Sequence, residues 1–512
     1  MDKGNIRRGR SLVYIVSIAA ALVFYTWLSY QIPYTHDDWE WGISTGIEHI
    51  TTADINSRYA GNLLEVLVTR SEIAKTLIMG IVFTAIVFTA SLSALLFNGK
   101  PVEEKKFLGV FLAGNALFLC IPMIIWNQTN GWIAGFSNFV VSALALLGYF
   151  MIVFRDRKDY KPGIAAGAGC LVFGLAMQLF IENLTVFFAA FSLCLVIYTF
   201  KRYGKSAVDI YMLFLGNLIG AVIMFNNNIY SSLWNTGYAV DGYRHMVYDR
   251  SQSFGVFLSD ALYRYLVEFI PGTISFDVLL EAFIAILCLL IVLKKMKAKS
   301  KDLTPVVAKV FIALDALYAV YYVHIKMLGF PAFVNRVPNL YAILDLLFVV
   351  VISFELLVLF KEEKKMLARV SAAWFSSFFI MVPMLSINTV GYRSYYTGIV
   401  SHILAALILM VYYLNTVGPK QVTVWITAMA IFTLLFAGAI VRSYIGIGQV
   451  NRERLRLMRD AAPGTEITLP EYPYSDHLWY PDPNTPDRVP VFREFYSVPD
   501  DVEIVFPNAD KA

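Results

Sequence analysis

The chain predicts an all-α polytopic membrane protein with about thirteen transmembrane helices. Of its 512 residues, 58% are hydrophobic and only 16% are charged, where a soluble chain of this length carries about 25% charge. Mean hydropathy is +0.60. Apolar runs of about 20 residues, the length that crosses a bilayer core, recur from one end to the other. The net charge of +4 does not point to nucleic acid, because the basic residues sit in short clusters between runs. Cys120, Cys170, Cys194 and Cys288 all fall within apolar runs, show no metal-ligand spacing and read as small core residues.

The spans expected in order are 11–30, 76–97, 107–125, 136–154, 163–181, 184–200, 208–225, 274–293, 305–323, 339–360, 367–386, 397–415 and 421–441. Lys3, Arg7, Arg8 and Arg10 precede the first run. That run is long enough to span and lacks a small-residue cleavage site, so it is expected to stay as a helix rather than leave as a signal peptide. With the N-terminus inside, the inner segments hold 24 Lys and Arg and the outer loops nine, and the alternation holds at every loop. An odd number of spans then puts the tail from Arg442 outside. The expected organisation is a transmembrane domain over 1–441, with outer loops 31–75 and 226–273, and an extracytoplasmic C-terminal appendage over 442–512. The expected location is the plasma (inner) membrane.

Both long outer loops carry helical apolar stripes. Ile55, Tyr59, Leu63 and Val66 recur at helical spacing beside Asp54, Asn56, Arg58 and Glu65. Phe254, Phe257, Leu258, Ala261, Leu262, Tyr265 and Phe269 form a second stripe that Pro271-Gly272 is expected to end. Two such helices on one side suggest a rim over a cavity; plain membrane-surface anchoring explains each alone. In the tail, a polar helix over 449–462 meets Pro463-Gly464. Glu466 to Leu469 and Val502 to Phe506 then read as short strands of a small α/β unit.

Ionisable chemistry concentrates in Tyr34-Thr35-His36-Asp37-Asp38-Trp39-Glu40-Trp41-Gly42, directly after the first run. Asp is favoured where a helix starts, so one of Asp37 and Asp38 can cap a helix that begins near Trp39. Two acids exceed what a cap requires. Adjacent like charges near an apolar wall raise one pKa toward the range useful for taking a proton from a hydroxyl, which makes that carboxylate a candidate general base. His36 either orients a carboxylate or is a plain interface residue. Trp39 and Trp41 either stack on a sugar ring or belong to the interfacial aromatic belt.

The same topology places Trp126-Asn127-Gln128, Trp132, Asn138, Gln178, Glu182 and Asn183 on the face that carries Asp37. Arg336 and Arg393 lie at the level of lipid phosphates and are candidate anion-binding residues, since a guanidinium pairs with phosphate bidentately. Contact with ordinary lipid headgroups is the alternative. Asp315 and Asp345 fall inside apolar runs and require buried partners.

An acidic pair after the first span, a helix in that outer loop, eleven or more spans and a small outer appendage together resemble the GT-C superfamily of membrane glycosyltransferases. Asp37-Asp38-Trp39, Asn56-Ser57-Arg58-Tyr59, Trp132 through Asn138, and Gln178 to Asn183 look most like bacterial members related to O-antigen and teichoic-acid modifying enzymes. The resemblance implies a polyprenyl-phosphate sugar donor and a cell-envelope glycan, teichoic acid or lipid as acceptor. It also implies inverting transfer with Asp37 or Asp38 as base. Arg336, Arg393, Arg58, Glu182, Asn183, Gln178, Asn127, Trp132 and Trp39 would line the substrate site. Some members hold a divalent metal at acidic residues; those using monosaccharide phospholipids generally do not, and none is expected here. The competing classes are a flippase for lipid-linked sugars, a polysaccharide polymerase or ligase, and a non-enzymatic scaffold. No inverted repeat is evident, which weighs against a transporter.

Overall fold

The computed structural model describes residues 3–52, 55–100, 102–155, 160, 162–203, 207–239, 244–247, 252–299, 303–327, 339–388 and 390–506. Ten of its helices are long and apolar enough to cross a membrane. The count becomes eleven if Phe254–Ser275 and Val278–Lys297, bent by 85° at their junction, form one span. The protein is an all-α, multi-pass membrane protein.

Among the described residues the thirteen expected runs are met by those ten helices, the bent pair and two shorter helices. Glu104–Leu119 has 16 residues and Ile164–Met177 has 14, about 24 and 21 Å at 1.5 Å per residue. The first stops ahead of Pro122, which cannot continue a helix and starts the separate Met123–Trp126 turn. The second stops at Gln178, whose carbonyl accepts the Thr185 hydroxyl of the next helix at 2.7 Å. This turn brings Glu182 to the start of its own helix.

At the centre runs Tyr396–Leu414, buried along nearly its whole length. Glu72–Phe97, Glu104–Leu119, Val141–Val153, Val278–Lys297 and Lys364–Phe379 pack around it. The tightest crossing is between Ile164–Met177 and Val208–Phe225. A Cβ on Gly174 would meet the Leu213 carbonyl at 2.5 Å, and one on Gly216 would meet the Leu171 carbonyl at 2.2 Å. Small residues here let two backbones touch, the packing mode that replaces hydrophobic drive inside a bilayer.

The two long loops fold as helices. In 31–75 the short helices Asp38–Gly42 and Ser44–Thr52 precede Tyr59–Thr69. That last helix buries Asn62 and Glu65 against the bundle and turns Leu63 and Leu67 outward, 62% and 53% exposed. Leu63 and Leu67 thus face away from the protein while Asn62 and Glu65 face in, as suits a helix lying at a membrane surface. In 226–273 the stripe does not end at Pro271-Gly272. It continues through a π-helical turn, Tyr265–Phe269, into Ile270–Ser275. The wider turn removes the steric conflict that a proline makes in a regular α-helix. Phe254, Leu258 and Leu262 are exposed along it.

The last span and the polar segment after it are one helix of 41 residues, Pro419–Arg459. Beyond it, Glu466–Thr468 and Glu503–Val505 pair in parallel, and Arg488–Tyr496 forms a helix. Ile467, Leu469, Phe492, Val498 and Val502 make a core with Met458 and with Trp39 from the first loop. Arg454, almost fully buried, donates to the Pro470 carbonyl at 2.7 Å and to Asp482 at 2.5 Å, and lies 4.0 Å over the Tyr472 ring.

Candidate functional site

The acidic pair divides into two roles. Asp38 is fully buried. Its carboxylate accepts the Thr35 N–H at 2.8 Å, the Ala134 N–H at 2.9 Å and the Ile133 N–H at 3.4 Å. It thereby joins the first loop to the start of the Ile133–Val153 helix, 96 residues later in sequence. Burial pushes its carboxyl up to about 8, against the pull of those donors and with a further push from Asp37. Asp38 is a cap, although the helix it caps is not the one beginning beside it.

Asp37 is the reachable acid, with 30% of its side chain exposed. His36 Nδ1 lies 2.7 Å from its Oδ1 and Arg488 Nη2 lies 2.9 Å from the same oxygen. Burial opposes ionisation, but His36, Arg488 and Arg393 together outweigh it and hold the carboxyl below its ordinary range. Arg488 also reaches Glu40 at 3.2 Å, 448 residues away in sequence. Glu65 faces this group from the Tyr59–Thr69 helix. Burial, then the charges of Asp38 and Asp37, push Glu65 well above the usual carboxylate range, with Arg58 opposing. Asp37 is thus the ionised acceptor of the pair, and the expectation that the base is the acid with the raised pKa is corrected: the raised carboxyl belongs to the buried cap, Asp38.

An aromatic wall adjoins Asp37. The His36 ring lies 5.9 Å from Trp132, 6.4 Å from Trp479 and 5.2 Å from Tyr480. His36 and Tyr480 both adopt left-handed backbone, at φ 50 and 42. Such conformations cost about 1 kcal/mol or more in a bulky residue and concentrate at functional sites.

Arg393 extends the site along the bundle end. Its guanidinium lies 5.6 Å from the Trp132 ring and 5.9 Å from Phe139, and Arg58 lies 5.6 Å from the same Phe139 ring. Arg58 donates two hydrogen bonds of 3.1 Å from Nε and one of 2.8 Å from Nη2 to the Glu182 carboxylate. Tyr230 donates to Glu182 at 3.0 Å, and Arg244 is 3.8 Å from it. Glu182 and the charges of Tyr230 and Glu65 more than offset burial, so Arg58 is held firmly protonated. Asn183, next to Glu182, is buried with no hydrogen-bond partner for its Nδ2 among the described residues.

The predicted site residues thus separate. Asp37, Trp132, Arg393, Arg58, Glu182 and Asn183 gather at one end of the bundle. Three others do not line the site. Trp39 is buried, donates to the Tyr34 carbonyl at 3.2 Å and meets Phe492 edge-on at 5.0 Å, so it belongs to the core of the C-terminal unit. Gln178 is fully buried and donates to Asn217 at 3.0 Å, clasping the crossing of Ile164–Met177 and Val208–Phe225. Asn127 donates to the Asp476 carbonyl at 3.1 Å and holds the tail in place. Arg336 lies outside the described residues.

Sequence reasoning did not find Arg488, Glu65, Trp479 or Tyr480. Arg488 sits in an unremarkable polar run, and its acidic partners are at the opposite end of the chain. The one available signal was the Trp479-Tyr480 pair in an otherwise polar, proline-rich tail. Lys326 lies in a π-helical turn and pairs with buried Asp345, which also accepts from Ser275 at 2.5 Å and Tyr322 at 3.2 Å. Asp315 is buried with Glu355 as its neighbour. Among the described residues no three His, Cys, Asp or Glu side chains are grouped to hold a metal ion. No family model, curated protein or solved structure matches the chain.

Proposed function

We propose that the protein is a membrane glycosyltransferase of the GT-C kind, moving a sugar from a polyprenyl-phosphate donor to a hydroxyl of an extracytoplasmic cell-envelope acceptor. One observation carries the reading. Asp37 is an ionised, partly exposed carboxylate beside His36, Arg488 and Arg393, with aromatic rings adjoining, at one end of a multi-span bundle. The N-terminus is cytoplasmic in this reading, and the tail and both helical loops are outside.

The proposed reaction needs little from the enzyme beyond a base, a sugar platform and countercharge. Asp37 takes the proton of the acceptor hydroxyl as its oxygen bonds to the anomeric carbon. The bond from that carbon to the donor phosphate oxygen breaks, its electron pair stays on the polyprenyl phosphate, and configuration inverts. Phosphate is a competent leaving group, so cations serve better than a general acid. Arg393, with Arg58 near the same Phe139 ring, would meet the charge that develops. Tyr480, the exposed ring of this wall, and Trp479 beside it would meet the sugar, with buried Trp132 behind them.

A second reading has its own support. Lys326–Asp345 and His402–Glu281 are buried pairs of ionisable side chains within the helices, the second at 2.9 Å and without exposure. Intramembrane ionisable pairs mark transport pathways in many proteins, which fits a flippase for lipid-linked sugars. Reconstituted vesicles decide between the two. Transfer of labelled sugar from a polyprenyl-phosphate donor to envelope acceptors is the expected result. Donor flipping without transfer would select the transporter.

A further inference from the structure

Two cavities lie at the end of the bundle opposite Asp37, and neither belongs to the proposed reaction. Their volumes are about 870 and 610 Å³, and Phe154, Arg155, Lys364, Lys365 and Arg369 line both. Arg202 completes the second, whose lining holds no acidic residue among the described residues. The first includes Glu362 and Glu363, but Glu363 accepts from Tyr412 at 2.7 Å and lies 3.8 Å from Lys295.

The position follows from two helices. Ile133–Val153 begins at the N–H groups that Asp38 holds and ends two residues before Arg155. Glu182–Arg202 begins at the Arg58 partner and ends on Arg202 itself. Each has 21 residues, about 32 Å at 1.5 Å per residue, so the cationic cavities sit one hydrocarbon thickness away from the candidate site. Apolar side chains make much of the remaining wall, Met151 and Ile152 in one cavity and Phe191 and Leu195 in the other. Arg369 is anchored by donating to the Phe97 and Phe154 carbonyls, which fixes a guanidinium at the partition between the cavities. Arg155 stacks 4.5 Å over Tyr160.

We infer that this is a binding site for an anionic phospholipid of the leaflet opposite the Asp37 cluster, with its phosphate among Arg155, Lys364, Lys365, Arg202 and Arg369 and its chains along the apolar walls. A zwitterionic lipid would bring an ammonium among these five cations and bind less well. Basic pockets between spans recognise acidic headgroups by this combination of charge and apolar lining.

The test is native mass spectrometry of the full-length protein in detergent, titrated with phosphatidylglycerol, phosphatidylcholine or a polyprenyl phosphate. Phosphatidylglycerol is expected to bind at one saturable site, more tightly than either comparison lipid. Replacing Arg155, Lys364 and Lys365 by Gln together should weaken it about a hundredfold, from roughly fivefold per cation. A matched triple at Lys294, Lys297 and Lys420, which line neither cavity, should leave it unchanged. Should the first triple fail to fold, Ala372→Trp fills the second cavity without changing charge, and a similar loss is expected. Equal weakening in both triples, unaltered binding after Ala372→Trp, or preference for polyprenyl phosphate would overturn the assignment.

Discussion

Asp38→Asn isolates the structural half of the acidic pair. Both carboxylate oxygens accept backbone N–H groups from two separate segments, Thr35 on one side and Ala134 with Ile133 on the other. An asparagine has one acceptor oxygen and one NH2 group. Whichever way it rotates, at least one N–H faces another donor and loses its partner in a fully buried site. The lost bond and the stranded donor together cost about 3 kcal/mol. The sign with pH follows from the raised carboxyl. A folded value near 8 against 3.8 means the folded state holds the proton more tightly, so this group's contribution to stability falls as pH rises from about 4 to 8. The variant lacks that slope. Unfolding followed by tryptophan fluorescence at pH 5 should show Asp38→Asn destabilised by about 3 kcal/mol. Asp37→Asn should change stability by less than about 1 kcal/mol, because its ion pair is partly exposed. Full stability in Asp38→Asn would refute the division of roles.

Three further outcomes follow from the same geometry. Arg488→Gln removes a cation that lowers the Asp37 carboxyl, so the acid limb of the transfer-rate profile should move to higher pH; a pH series of initial rates reads this directly. The stabilisation associated with the lowered Asp37 carboxyl is complete above 3.8 and is lost as pH falls through its folded value, so the same variant should also lose part of its acid resistance. Glu182→Gln leaves the buried Arg58 guanidinium without its carboxylate and should cost about 2 kcal/mol, with donor KM raised more than kcat is lowered. Gln178→Leu should cost about 1 to 3 kcal/mol by stranding Asn217, while leaving KM for the donor unaltered.

Much of the fold was legible because lipid imposes a one-dimensional rule: apolar runs of sufficient length become helices. Where that rule failed, a local event overrode it. Pro122 cut one run short, the turn at Gln178 cut another, and a π-helical turn carried a helix through Pro271. The acidic pair was visible since two carboxylates beside a membrane edge are costly without a purpose. Their division of labour was not visible, because the Ala134 N–H that engages Asp38 and the Arg488 that engages Asp37 are contributed by distant segments. Trp39 was misread for a related reason. An indole beside a span suits the interfacial belt equally well, and only the docking of Phe492 shows that it is core. Gly42 records the same docking. A Cβ there would sit 2.1 Å from the Phe495 ring, so the close approach of the C-terminal unit demands glycine.

The most direct test of the central claim is single-turnover transfer from a radiolabelled polyprenyl-phosphate sugar in proteoliposomes, comparing wild type with Asp37→Asn. The account predicts a 10²- to 10⁴-fold slower chemical step with donor binding retained, the range typical for loss of a general base. Transfer at the wild-type rate in Asp37→Asn, in protein whose unfolding is normal, would contradict it.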